Sequence, residues 1–128
     1  LMVEELVAGR AVFNQPAGHL EPDESIMDAA IRETLEETGW QVELTGFIGA
    51  YQWTAPETGQ HYLRMAFAAL PHTHFPERAL DQGILAAHWL SPGDIMALHD
   101  RHRSPLVWKV INDYLSGQRS PLGLIQAL

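Results

Sequence analysis

The stretch G-H-L-E-P-D-E-S-I-M-D-A-A-I-R-E-T-L-E-E-T-G-W, Gly18 to Trp40, decides how the rest of the chain reads. Ser25 has the chemistry of a helix N-cap and Gly39 that of a helix stop, so the spacing predicts a helix from about Ser25 to Thr38. Each helical residue advances about 100°, which puts Glu36 at about −60° and Glu37 at about +40° from Glu33. Three carboxylates therefore share one arc. Ile26, Met27, Ala30, Ile31 and Thr34 occupy another, suited to the core.

This arrangement costs stability. Like charges three and four apart disfavour a helix by about 0.2–0.5 kcal/mol each. The helix dipole disfavours anions near its C-terminal end by about 0.3–1 kcal/mol. Two carboxylates about 4 Å apart repel by roughly 1 kcal/mol in water and about 4 kcal/mol at an effective dielectric of 20. A divalent cation relieves the repulsion, and Mg²⁺ takes carboxylate and phosphate oxygens as ligands. Arg32 reaches Glu36 one turn on and orients it. The alternative is a solvated acidic face.

The whole chain has 128 residues, 16 acidic and 8 basic, for a net charge of −8. The length suits one domain, and 46% hydrophobic residues suit a folded core rather than disorder. The absence of cysteine excludes a disulfide scaffold, a thiolate zinc site and a cysteine nucleophile. A pI near 5.2 argues against a nucleic-acid partner held through phosphate contacts. No apolar run is long enough to span a membrane, and no basic start leads into an apolar stretch. The expectation is a soluble, cytoplasmic, acidic α/β domain with no nucleic-acid or membrane partner, monomeric or homodimeric.

Hydrophobic patterning predicts strands at Leu1–Leu6, Ala11–Gln15, Gly46–Thr54, His61–Leu70 and Ala86–Leu90. In the third, Phe47, Gly49, Tyr51 and Trp53 share one face. In the fourth, Leu63, Met65, Phe67 and Ala69 form the apolar face, with Tyr62 and Arg64 opposite. Residues 71–83, with two prolines, read as a loop. Ser91–Pro92 and Ser104–Pro105 each start a helix; the second carries Leu106, Val107, Val110, Ile111, Tyr114 and Leu115 as an apolar stripe stopped by Gly117. Trp89 and Trp108 read as core, and Met2, Met65 and Met96 as packing. Strands and helices interleave, which predicts helices covering a mixed sheet. The apolar tail Leu122–Leu128 packs on its own domain or on a second copy.

The opening run resembles the signature of the Nudix family: Gly, five residues, Glu, seven residues, Arg-Glu, an aliphatic, any residue, Glu-Glu, any residue, Gly and an aliphatic. Gly18, Glu24, Arg32, Glu33, Glu36, Glu37 and Gly39 match it. Thr34 and Trp40 stand where the pattern has aliphatic residues, a departure that concerns packing more than chemistry. The stretches N-Q-P-A-G-H-L-E, Y-Q-W-T-A-P, Y-L-R-M-A-F and H-R-S-P-L-V are similar to those of the NudJ-type phosphatase branch, from residue 1 to about 117.

The resemblance implies an α/β/α sandwich with a mixed sheet, one domain over residues 1–128, and hydrolysis of nucleoside di- and triphosphates and of thiamine-pathway diphosphates. Rival readings are cleavage of ADP-ribose or another nucleoside diphosphate derivative, and a module that binds nucleotide without cleaving it. The family begins with a strand and turn ahead of the segment matching Leu1–Met2–Val3, and no Met stands at position 1. The expectation is a trimmed chain, which an intact mass equal to that of a complete reading frame starting here would refute. Lacking that strand, a neighbouring strand keeps an open edge.

The expected chemistry is attack of water on a phosphorus of a diphosphate linkage. Two or more Mg²⁺ ions, with Mn²⁺ as a substitute, bridge Glu33, Glu36 and Glu37 to phosphate oxygens. By resemblance the Gly18 carbonyl completes the shell. Glu36 or Glu33 acts as general base. Glu77 and Asp81 are rivals, because the family often places its base outside the signature. Glu24 and Arg32 support the ligands. Arg64, Arg103 and His19 are candidates for phosphate, Trp53 and Tyr51 for stacking on a ring, and Gln52 for reading a ring edge. For the arginines the alternative is a surface residue, and for the aromatics the core. His72 and His74 share a strand spacing that suits zinc, but an exposed loop pair is the plainer reading.

Overall fold

The computed structural model describes residues 1–128. Strands β1 (Met2–Val7) and β2 (Arg10–Asn14) form a hairpin, followed by helix α1 (Ile26–Thr38). Strands β3 (Trp40–Thr54) and β4 (His61–His74) form a second, long hairpin. Strand β5 (Ile84–His88), helix α2 (Pro92–Ala97) and helix α3 (Leu106–Leu115) complete the order. One sheet runs β2-β1-β5 and the other β3-β4, with every pairing inside them antiparallel. The parallel component is the bridge between Phe13 and His102.

The β1–β2 turn places Ala8 at φ 50° and Gly9 at φ 79°, the doubly left-handed geometry that matches the twist of a two-residue hairpin. Ser25 Oγ accepts from the Asp28 N–H at 3.0 Å and starts α1. Gly39, at φ 75°, donates its N–H to the Leu35 carbonyl and turns the chain directly into β3. The helix is therefore hinged to the strand it packs on by a single residue.

Two apolar clusters hold the molecule together, and α3 belongs to both. Val107 joins Met2, Phe13 and Ile95, while Val110 joins Ile48, Ala66 and Ala68. Tyr51 Oη donates to Asp113 Oδ2 at 2.8 Å, adding a polar clamp between β3 and α3. The C-terminal Ile125, Gln126 and Ala127 line a cleft with Glu24–Met27, so the tail lies on its own chain at the start of α1.

Several sequence expectations need correction. Strand β3 begins at Trp40, not Gly46; bulges at Gln41/Val42, Leu44/Gly46 and Phe47/Gly49 interrupt the alternation that would have revealed it. Both Phe47 and Ile48 are consequently buried. Strand β4 continues through Pro71 to His74 where a loop was expected. It pairs only with β3, and an edge strand tolerates a proline.

The buried face of β4 is also the opposite one. Ala66 and Ala68 face the core beside Arg64, while Leu63 is 70% exposed. Small alanines let α3 approach the sheet, which the size of Leu63 and Met65 obscured. Strand β5 spans Ile84–His88, two residues earlier than expected. Trp89 and Met96 are exposed rather than packed inside, and so are Tyr114 and Leu115 of the α3 stripe.

Candidate active site

Helix α1 presents Glu33 and Glu36 toward the loop between β4 and β5. The Asp81 N–H donates to the Glu36 carbonyl at 3.0 Å, which pins that loop to the helix. Carboxylate oxygens of Glu33, Glu36 and Asp81 consequently lie within 4.8 Å of one another. Glu77, the other loop acid considered, lies elsewhere, lining an open groove with Leu35, Gln41, His74 and Phe75.

Arg32 organises the cluster. Its guanidinium grips both oxygens of Glu24, at 2.6 and 2.9 Å, and donates to the His19 carbonyl at 3.0 Å. Its Nη1 reaches Glu33 Oε1 at 2.8 Å and Glu36 Oε2 at 3.1 Å. The Glu24 pair is the larger cause that raises the Arg32 pKa above its usual value, and the same bond lowers that of Glu24. One cation thus faces four glutamates, Glu21 at 3.7 Å being the fourth, and Asp81 has no basic partner in ion-pair contact.

Glu37 differs from its neighbours. It is buried, and its Oε1 accepts from the Ala17 N–H at 2.7 Å. Burial pushes its pKa up to about 7, opposed by that hydrogen bond and reinforced by the charges of Glu33, Glu5 and Asp81. The bond fixes the chain just before Gly18. A Cβ on residue 18 would overlap the Glu33 carboxylate, so the backbone there lies directly against the acidic cluster. The donor set is all oxygen, crowded and under-neutralised, and it fits a hard divalent cation. Glu33, Glu36 and Asp81 are placed to hold one, with Glu37 and residue 18 at its border.

A second group lies on the sheet surface. Arg64 of β4 donates to Gln15 Oε1 at 3.1 Å and to Asn14 Oδ1 at 3.2 Å, and Gln15 in turn donates to the Val107 carbonyl of α3. Arg103, just before α3, pairs with Glu5 at 2.7 Å. Trp53 pairs across the ribbon with Tyr62, and Tyr51 with Arg64, so all four side chains share a face. The Trp53 and Tyr62 rings stack with centroids 5.7 Å apart.

Gln52 is not brought to this face: it pairs with Leu63 on the opposite side and is exposed. His19 is exposed and enters the network through its backbone carbonyl alone. His72 and His74 lie on β4, not in a loop, and His74 stacks on Trp40 at 4.5 Å. That stack explains a ring at position 40 where the family pattern has an aliphatic residue. Thr34, the other departure, satisfies its hydroxyl by donating to the Ala30 carbonyl at 2.7 Å. Sequence reasoning missed Glu5, whose partner Arg103 lies 98 residues away and leaves no local signal, and Tyr62, whose stacking partner Trp53 lies across the β3–β4 hairpin.

The Nudix domain model matches residues 2–109. The chain belongs to the Nudix family. This Nudix chain is 43% identical over 125 residues to the Phosphatase NudJ of Escherichia coli strain K12, covering 98% of the chain and 80% of the relative. The same figures hold for the Phosphatase NudJ of Shigella flexneri. A solved Nudix hydrolase from Nitrosomonas europaea is 44% identical with a TM-score of 0.97, across 99% of this chain and 86% of that one. The protein is a Nudix hydrolase, an enzyme of phosphoanhydride bonds, in a family whose members generally need a divalent metal. No helix is long and apolar enough to cross a membrane.

Proposed function

We propose that this hydrolase, one Nudix domain over residues 1–128, uses Mg²⁺, with Mn²⁺ as a substitute, to cleave nucleoside di- and triphosphates and thiamine-pathway diphosphates. The observation that carries the reading is the convergence of Glu33, Glu36 and Asp81 within 4.8 Å. When bound, the metal neutralises phosphate charge and acidifies a bound water. Glu33, Glu36 and Asp81 hold it; Glu37 fixes the Ala17–Gly18 backbone and offers its second oxygen.

The rest falls to the chain. Water attacks phosphorus, one bridging P–O bond breaks, and Glu36 takes the proton from the water. Arg32 keeps Glu33 and Glu36 oriented through its contacts at 2.8 and 3.1 Å. Arg64 meets the phosphate beyond the scissile bond, with Arg103 beside it held by Glu5. The Trp53–Tyr62 stack offers a platform for a pyrimidine or nucleobase ring, and its position on the Arg64 face supports that role.

The test is a panel of nucleoside di- and triphosphates, thiamine diphosphate, hydroxymethylpyrimidine diphosphate and ADP-ribose with Mg²⁺. Release of phosphate or diphosphate from the first four is expected. Turnover confined to ADP-ribose, or binding with no turnover at all, would overturn the reading.

A further inference from the structure

Arg64, the fourth residue of β4, is half-buried, yet it forms no ion pair. Its side-chain partners are the neutral amide oxygens of Gln15 and Asn14, which use two of its five N–H groups. Burial lowers its pKa, and the nearby Arg103 lowers it further. A guanidinium withdrawn from water without a counter-charge is costly unless an anion arrives.

Arg103 is held differently. Its N–H donates to the Phe13 carbonyl at 2.8 Å, next to Asn14. Its Nη1 lies 2.7 Å from Oε1 of Glu5, whose side chain is only 13% exposed. Glu5 pairs with Val12 and Val3 with Asn14, so Glu5 and Asn14 rise from the same face of the β1–β2 hairpin. Glu5 is also near enough to act electrostatically on both Arg64 and Glu37. Its contact with Arg103 and its reach to Glu37, at the border of the acidic cluster, put it near both groups. A phosphate chain held at the cluster and running toward the arginines meets Arg64 open and Arg103 already engaged. A group reaching Arg103 must displace the Glu5 carboxylate and face its charge.

We propose that Glu5 limits the length of phosphate chain the site accepts, by engaging Arg103 and leaving Arg64 as the one open cation beyond the scissile bond. The inference rests on the diphosphate-hydrolase reading above. It makes Glu5 a specificity residue that favours diphosphates over triphosphates, and it assigns no chemistry to Glu5 itself.

The experiment measures kcat and KM for a nucleoside diphosphate and its triphosphate with Mg²⁺, and inhibition by inorganic triphosphate. The proteins are wild type, Glu5→Gln, Glu5→Asp and Glu5→Gln/Arg103→Met. An ionic hydrogen bond gained by phosphate changes affinity by about tenfold or more. Glu5→Gln is expected to raise the triphosphate-to-diphosphate ratio of kcat/KM by about that factor, through KM, and to tighten inhibition by inorganic triphosphate alike. The gain should vanish in the double variant. Glu5→Asp, one methylene shorter, should show a smaller shift in the same direction, and it serves if Glu5→Gln fails to fold. No wild-type turnover of either nucleotide overturns the underlying reading and this inference with it. Normal wild-type turnover with an unchanged or lowered ratio overturns this inference alone. So does a gain that persists without Arg103, or an equal rise in KM for both nucleotides, which would make Glu5 a mere support for Arg103.

Discussion

At position 18 a glycine is demanded by its neighbour rather than by its own dihedral angles. A methyl group there would occupy the space of the Glu33 carboxylate. Gly18→Ala is expected to displace Glu33 and weaken Mg²⁺ binding by about 10–100-fold, as loss of a supporting contact to a metal ligand does. Titration calorimetry checks the affinity, and a melting curve close to wild type separates the effect from unfolding. Glu36→Gln keeps the shape of the side chain and its place beside Arg32 but removes the proton acceptor. It should lower kcat by about 10²–10⁴-fold with an unchanged circular dichroism spectrum; wild-type kcat would remove Glu36 from the role of base.

At the scale of elements, α1 is a short helix carrying an unfavourable charge pattern, so its ends matter. Its last turn contains no basic residue, and its only cation facing the cluster is Arg32. Stability must come from the Ser25 cap, the Gly39 stop and packing on β3. Ser25→Ala removes the bond to the Asp28 N–H at 3.0 Å. It should cost about 1 kcal/mol in urea unfolding. Mg²⁺ should raise the stability of wild type and variant alike, since a ligand that binds the folded state alone stabilises it by RT ln(1 + [L]/Kd). No stabilisation of either protein by saturating Mg²⁺ would mean that the helix does not carry the ion.

At the scale of the whole molecule, α3 joins the two sheets, and Asp113 is its polar anchor. Hydrogen bonds from Lys109 and then Tyr51 hold the Asp113 carboxyl below its usual 3.8. A depressed folded-state pKa contributes stability that is present above the unfolded value and is lost as pH falls through the folded one. Tyr51→Phe withdraws one of those bonds and lifts the folded pKa toward the unfolded value. The contribution then shrinks, and what remains is lost at a higher pH. The acid-unfolding midpoint should therefore move upward in pH, read by circular dichroism below about pH 5. Tyr51 itself, raised to about 12 by burial and by Asp113, stays protonated throughout that range.

The sequence by itself determined the helix from Ser25 to Thr38, its stop at Gly39, the α3 stripe as far as Ile111, and the crowding of acids on one side of α1. These are properties of neighbours in the chain, governed by helical period and capping. Tertiary structure alone decided that Asp81 completes the cluster with Glu33 and Glu36, because a backbone bond to Glu36 brings a distant loop onto the helix. It alone decided which face of β4 is buried, since alanines admit α3 where larger side chains would not. It alone placed Glu5 beside Arg103, 98 residues away in the chain. Pairings across such separations are set by which surfaces can pack, and no local period encodes them.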